Sequence, residues 1–167
     1  MSTTTLRCHL ADADATGALA RVLACTQPAS AIVQLHGELG AGKSTLARAW
    51  LRALGVTGAV RSPTYTLVEH YAYADPRLEP GGRALHLDLY RIGHAGELEF
   101  LALDDAGASL WLVEWPERGA GALPDADLRV ELALAADGGR EARLDAASPA
   151  GRKWLAAVEQ MPGCGLF

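Results

Sequence analysis

Residues 37–44 read G-E-L-G-A-G-K-S, and the fold follows from how this stretch is read. It fits the spacing G-x-x-x-x-G-K-[ST] of a phosphate-binding loop. Gly37, Gly40 and Gly42 let the backbone turn tightly and aim successive N–H groups at one point. A helix beginning there adds its positive end to the same cradle. Lys43 would reach the β- and γ-phosphates of a nucleotide as a point charge, and Ser44 would offer its hydroxyl to Mg²⁺. The flanks agree. Ala31–His36 (AIVQLH) is a short apolar run rich in β-branched residues, which predicts a buried strand. Lys43–Leu54 predicts a helix closed by Gly55. Strand, glycine-rich loop and helix together predict an α/β fold, a P-loop NTPase-like sheet flanked by helices with mixed strand directions.

Upstream of the loop, Leu6–Leu10 reads as a short strand and Asp12–Cys25 as a helix, with Asp12 or Asp14 as its N-cap and Pro28 as its limit. Downstream, Val56–Pro63 is a loop, Tyr65–Tyr73 a strand and residues 74–82 a turn. Ala84–Tyr90 (ALHLDLY) alternates apolar and polar residues and predicts a strand. Gly96–Leu103 reads as a short helix, and Ser109–Trp115 (SLWLVEW) as an apolar strand. Leu128–Ala135 and Glu141–Asp145 form a predicted hairpin around Asp137-Gly138-Gly139, followed by a helix over Ala150–Gln160. Repeats and long linkers are absent, so residues 1–167 are read as one domain.

A phosphate loop needs an acid at the tip of a neighbouring strand to organise Mg²⁺ or water. Asp88 in ALHLDLY and Glu114 in LWLVEW are the candidates; each could instead be an acid on the solvent face of a half-buried strand. Glu114 follows the more apolar run, which predicts a central strand beside the loop. Asp88 lies on an alternating strand, which predicts a half-exposed edge of the site. The segment R-S-P-T, Arg61–Thr64, is placed to sense a γ-phosphate, or is an ordinary proline turn. His36, His70, His86 and His94 show no metal spacing. The four tryptophans read as core or surface anchors, Trp115 excepted because it abuts Glu114.

Half of the residues are hydrophobic, enough for a core without staples, and the net charge is −5. The acid excess argues against a protein that coats nucleic acid. Thirteen of the fifteen basic residues are arginine, scattered along the chain, and Lys43 and Lys153 are the two lysines. Cys8, Cys25 and Cys164 are far apart and odd in number, which predicts a reducing cytoplasm. Neither a secretory signal nor an apolar run of membrane-spanning length is present.

Four blocks, HGELGAGKST (36–45), SPTYTLVEHY (62–71), LHLDLYRI (85–92) and LVEWPERG (112–119), resemble in order and spacing the TsaE (YjeE) family over roughly residues 12–135. The resemblance implies a bacterial P-loop ATPase needed to make threonylcarbamoyladenosine in tRNA. It implies ATP and Mg²⁺ bound by the run Glu38, Leu39, Gly40, Ala41, Gly42, Lys43, Ser44 and Thr45, with Ser44 and Glu114 at the metal. It further implies Lys43, Asp88, Glu114 and the switch-like Thr64 as the catalytic set, and Trp115 beside the active site. Ser44 stands where the family usually has threonine. The implied partners are TsaD and TsaB, with tRNA reached only indirectly through their complex. Residues beyond about 137 match no family block and read as a variable cap. Two other classes fit a phosphate loop. A small-molecule kinase would draw lid arginines from Arg77, Arg83 and Arg91. A regulatory GTPase would carry a guanine-reading N-K-x-D, which this chain lacks.

Overall fold

A computed structural model describes residues 4–162 and Leu166. Its centre is a seven-stranded sheet in the order β1-β7-β6-β2-β5-β4-β3. The strands are β1 (Thr5–Leu10), β2 (Ala31–His36), β3 (Val68–Tyr73), β4 (Gly82–Asp88), β5 (Leu110–Glu114), β6 (Leu128–Leu134) and β7 (Arg140–Ala146). β6, β2, β5 and β4 run parallel, while β7 and β3 are antiparallel to their neighbours, so the sheet is mixed.

The three α-helices share one face of this sheet. α1 (Ala13–Thr26) is capped by Asp12, whose side chain accepts from Ala15 N–H at 2.9 Å; Asp14 instead lies in the first turn. α2 (Lys43–Ala53) starts directly after the glycine-rich loop 37–42. α3 (Pro149–Glu159) has Ser148 as N-cap and Pro149 at its first position, where a missing N–H costs nothing. Their apolar stripes, including Leu19, Leu23, Leu46, Leu51 and Leu155, pack on Val33, Leu35, Leu112, Leu128 and Val130. Trp50 and Trp154 meet edge to face at 5.7 Å in this layer. Their indole N–H groups donate to Gln27 and Thr26, so neither ring buries an unsatisfied donor. Truncating either tryptophan to alanine is expected to cost about 3–5 kcal/mol.

The opposite face is covered unevenly. Leu85, Leu87, Trp111 and Val113 are roofed by Leu98 and Leu103 from two 3₁₀ turns, Ala95–Leu101 and Leu103–Ala106, which replace the single predicted helix. β1, β6 and β7 turn this face to solvent through Arg7, His9, Arg129, Glu131, Glu141 and Arg143. Cys8 is buried and Cys25 exposed; Cys164 lies outside the described residues.

Three expectations need correction. The strand predicted over Tyr65–Tyr73 begins only at Val68, because Thr64–Thr66 form a turn and Leu67 takes a left-handed backbone (φ 65°). The strand over Ala84–Tyr90 ends at Asp88 and is buried from Ala84 onward, so it is no half-exposed strand. The C-terminal hairpin is no cap: β7 lies between β1 and β6 within the sheet.

Candidate functional site

The parallel strands deliver their C-terminal ends to one place, where open α/β sheets bind ligands. β2 ends at the glycine-rich loop. Gly37, Gly40 and Gly42 all have positive φ (143°, 81° and 107°). A Cβ on Gly37 would lie 2.4 Å from Leu132 O on β6, so only glycine allows the chain to leave β2 this close to its neighbour. α2 then begins at Lys43, and its first-turn N–H groups face the loop.

Lys43 is 5% exposed. Its ammonium donates to Gly37 O and, at 2.9 Å, to Glu38 O, and lies 4.3 Å from the centre of the Trp115 ring. Burial pushes its pKa below the usual lysine value, opposed by the carboxylates of Glu114, Asp88 and Glu117. Trp115 follows β5 in a left-handed conformation (φ 56°), which turns the chain sharply at the strand's end. Tyr90 packs against Trp115 with ring centres 4.9 Å apart.

Asp88 and Glu114 are register partners at the ends of β4 and β5. Both side chains therefore emerge on the same face, beside α2. The two acids have different hydrogen-bond partners. Ser44 Oγ donates to Glu114 Oε2 at 2.9 Å, and His86 Nε2 meets Glu114 Oε1 at 2.7 Å. Asp88 Oδ2 accepts from Thr64 Oγ1 at 3.2 Å, and Oδ1 accepts from Tyr90 N–H at 3.0 Å. Ser62 Oγ lies 2.9 Å from Thr64 Oγ1. Asp88 is 5% exposed and Glu114 2%. The half-exposed position predicted for Asp88 is thus wrong: β3 and β5 flank its strand, and residues 63–67 fold over its end through Asp88 N–H to Leu67 O (3.0 Å) and Leu67 N–H to Pro63 O (2.8 Å).

These groups line a cleft of about 420 Å³. Of the predicted site residues, Leu39, Gly40, Gly42, Lys43, Ser44, Thr45, Thr64, Asp88, Glu114 and Trp115 face it. Glu38 and Ala41 shape the loop without facing it. A second cavity of about 240 Å³, between the start of α1 and the β6–β7 turn, shares Gly42, Thr45 and Arg140 with the first. Of the three lid arginines considered, Arg91 lines the cleft, stacked 4.4 Å from the Tyr65 ring centre. Arg77 is tied to Asp75 at 2.7 Å and to Gln27 O, and Arg83 sits at the opposite end of β4.

Two residues at the site were not singled out from the sequence. His86 is fully buried beneath Glu114, and its Nδ1 has no hydrogen-bond partner among the described residues. The signal was available: His86 and Asp88 are two residues apart on one strand and so share a face. Arg140, from β7, donates to Ala41 O and Gly40 O. It stands some hundred residues from the loop in sequence, and no local pattern connects the two.

The donor set suits Mg²⁺ nucleotide more than a bare ion. Among the described residues, no group of three or more His, Cys, Asp and Glu could hold a metal. One hydroxyl and one carboxylate, Ser44 and Glu114, are the oxygens a Mg²⁺ ion takes when phosphates and water complete its shell. None of the described helices is long and apolar enough to cross a membrane.

Residues 10–142 match the family model described as threonylcarbamoyl adenosine biosynthesis protein TsaE. The tRNA threonylcarbamoyladenosine biosynthesis protein TsaE of Haemophilus influenzae is 47% identical over 103 residues, which span 60% of this chain and 61% of that one. Its Streptomyces coelicolor counterpart is 39% identical over 142 residues, 83% of this chain and 93% of that one. The crystal structure of YdiB from Bacillus subtilis superposes with a TM-score of 0.76 at 26% identity, covering 93% of this chain and 95% of that one.

Proposed function

Since the chain belongs to the TsaE family of tRNA threonylcarbamoyladenosine biosynthesis, we propose that it is the ATPase of that process, hydrolysing ATP to reset a TsaB–TsaD complex between turnovers. The observation that carries this reading is the meeting, in one cleft, of the loop lysine Lys43 with the Ser44–Glu114 and Thr64–Asp88 pairs.

The chain's residues divide the work. The amides of the loop over Glu38–Thr45 and the start of α2 bind the phosphates, and Lys43 leaves the loop carbonyls to reach them. The adjoining cavity by Thr45 and Arg140 has room for the nucleoside. Ser44 and Glu114 would hold Mg²⁺, which supplies charge neutralisation at the β- and γ-phosphates when bound. Glu114 also lies where a carboxylate can orient the attacking water, and Thr64 reports the γ-phosphate through its bond to Asp88. The chain does no chemistry on RNA in this reading, and its acidic balance suits protein partners.

The test is co-purification with TsaB and TsaD, with and without ATP, followed by ATP turnover of the mixture. Turnover is expected to rise when all three are combined. Equal rates with and without the partners would remove the partner-driven reset, and absence of nucleotide binding would remove the ATPase reading itself.

A further inference from the structure

Arg140 is the first residue of β7, and its guanidinium is spent entirely on main-chain carbonyls. Nε donates to Ala41 O at 3.0 Å and Nη2 to Gly40 O at 3.1 Å, both in the phosphate loop. Nη1 donates to Gly138 O at 2.9 Å and Gly139 O at 3.0 Å, in the β6–β7 turn. Among the described residues no carboxylate pairs with it. A loop carrying glycines at positions 37, 40 and 42 has many backbone states, and an anion cradle needs one of them.

We infer that Arg140 is a positioning residue for nucleotide binding: it holds the carbonyls of Gly40 and Ala41 turned outward, so that the amides between them and α2 stay aimed at the phosphates. The idea rests on reading residues 37–44 as the nucleotide loop. The hairpin grips the loop at two points, since the loop's entry at Gly37 also presses on Leu132 O of β6. The hairpin is tied in turn to β1. Gly139 lies against β1, where a Cβ would come within 2.6 Å of Leu10 O, and His9 bridges Asp137 at 2.9 Å and Glu141 at 2.6 Å across the turn. Its positive charge, at the border of the two cavities, adds to the potential of the cradle. Lysine could not replace it, because an ammonium on a flexible stem does not span two pairs of carbonyls as a planar fork does.

The test compares Arg140→Met and Arg140→Lys with Arg143→Met, which removes an arginine from the same strand where it pairs with Asp145 on the open face. Three quantities are read: melting temperature, amide exchange over residues 38–44 without nucleotide, and the affinity for a fluorescent ATP analogue with Mg²⁺. Arg140→Met is expected to melt close to wild type, to exchange faster in the loop and to bind about 10-fold more weakly, on the scale of lost charged hydrogen bonds. Arg140→Lys should fall between, and Arg143→Met should match wild type. Unchanged exchange and affinity in a folded Arg140→Met, or an equal loss in Arg143→Met, overturns the inference. If Arg140→Met does not fold, Arg140→Lys carries the same comparison. If wild type binds no adenine nucleotide, the functional reading fails, and loop exchange alone then decides whether Arg140 orders the loop.

Discussion

Strands β4 and β5 are covered on both faces, whereas β6 and β7 pack on helices with one face and turn the other to water. Both pairs carry ionisable residues. On β4 and β5, His86, Asp88 and Glu114 are buried and bonded to partners, and Arg83 is exposed at the far end of β4. On the open face of β6 and β7, Arg129, Glu131, Glu141 and Arg143 are exposed and Asp145 is partly covered, while Arg140 at the start of β7 turns to the loop before α2. A glutamate is left to water on the open face and bonded at the cleft on the covered half, because burying a charge is tolerated only where partners compensate its lost hydration. Coverage of the sheet, more than the presence of an acid, separates a site from a solvated face.

The comparison breaks first at Lys43, where the covered half meets the loop. Lys43→Ala is expected to lower ATP turnover by about 10³-fold while leaving circular dichroism unchanged, since a preorganised charge at the phosphates is lost. Retained turnover would move the chemistry away from this cleft.

A sharper version sets Glu114 against Glu131. Glu114→Gln should keep nucleotide bound and slow hydrolysis by about 10²-fold, the scale of a lost acid–base or electrostatic group. Glu131→Gln, the same change on the open face, should leave the rate alone. Equal effects would mean that coverage does not distinguish the two halves.

Asp88→Asn should be milder, about 10-fold in rate, because the amide can still accept from Thr64 but the charge that strengthens the bond is gone. Its signature is faster exchange over residues 58–66 without a matching loss of nucleotide affinity. Identical defects in the two variants, in rate and in loop exchange, would show that the two acids do not divide the work as their partners indicate.

The smallest effect belongs to the open half. The Glu141 carboxylate bonded to His9, with Asp137 beside it, holds that imidazole's pKa above its ordinary 6.5. A raised folded pKa contributes stability that is complete below the unfolded value and is lost as pH rises through the folded one. His9→Gln should therefore lower the melting temperature at pH 5.5–6, and the difference should close above the raised value and shrink with salt. A pH-independent difference would mean that the bridge to Asp137 and Glu141 does not depend on charge.

Legibility in the sequence followed the same divide. The glycine-rich loop, β2, α2 and the apolar β5 are local patterns, and each could be read from a short window of sequence. β4 was harder. LHLDL alternates, which reads as a half-solvated strand, but its polar members His86 and Asp88 face α2 and the loop rather than water. Alternation reveals two different faces without saying what covers either. The 3₁₀ turns at Ala95–Ala106 and the left-handed Leu67 and Trp115 depend on tertiary contacts that no propensity carries. Arg140 was invisible for a simpler reason: its partners in the loop are a hundred residues away.

The segment from Pro63 to Leu67 is attached at two places of unequal strength. Its root is a main-chain bond, Asp88 N–H to Leu67 O, with the turn closed on itself by Leu67 N–H to Pro63 O. Its tip is one hydroxyl on one carboxylate, Thr64 on Asp88. The two attachments keep different clocks. The tip lets go with a single χ1 rotation, an event of picoseconds to nanoseconds, whereas the root requires the chain to leave the sheet's end, a motion of microseconds or longer. Thr64 can therefore sample the cleft many times while its backbone stays in place.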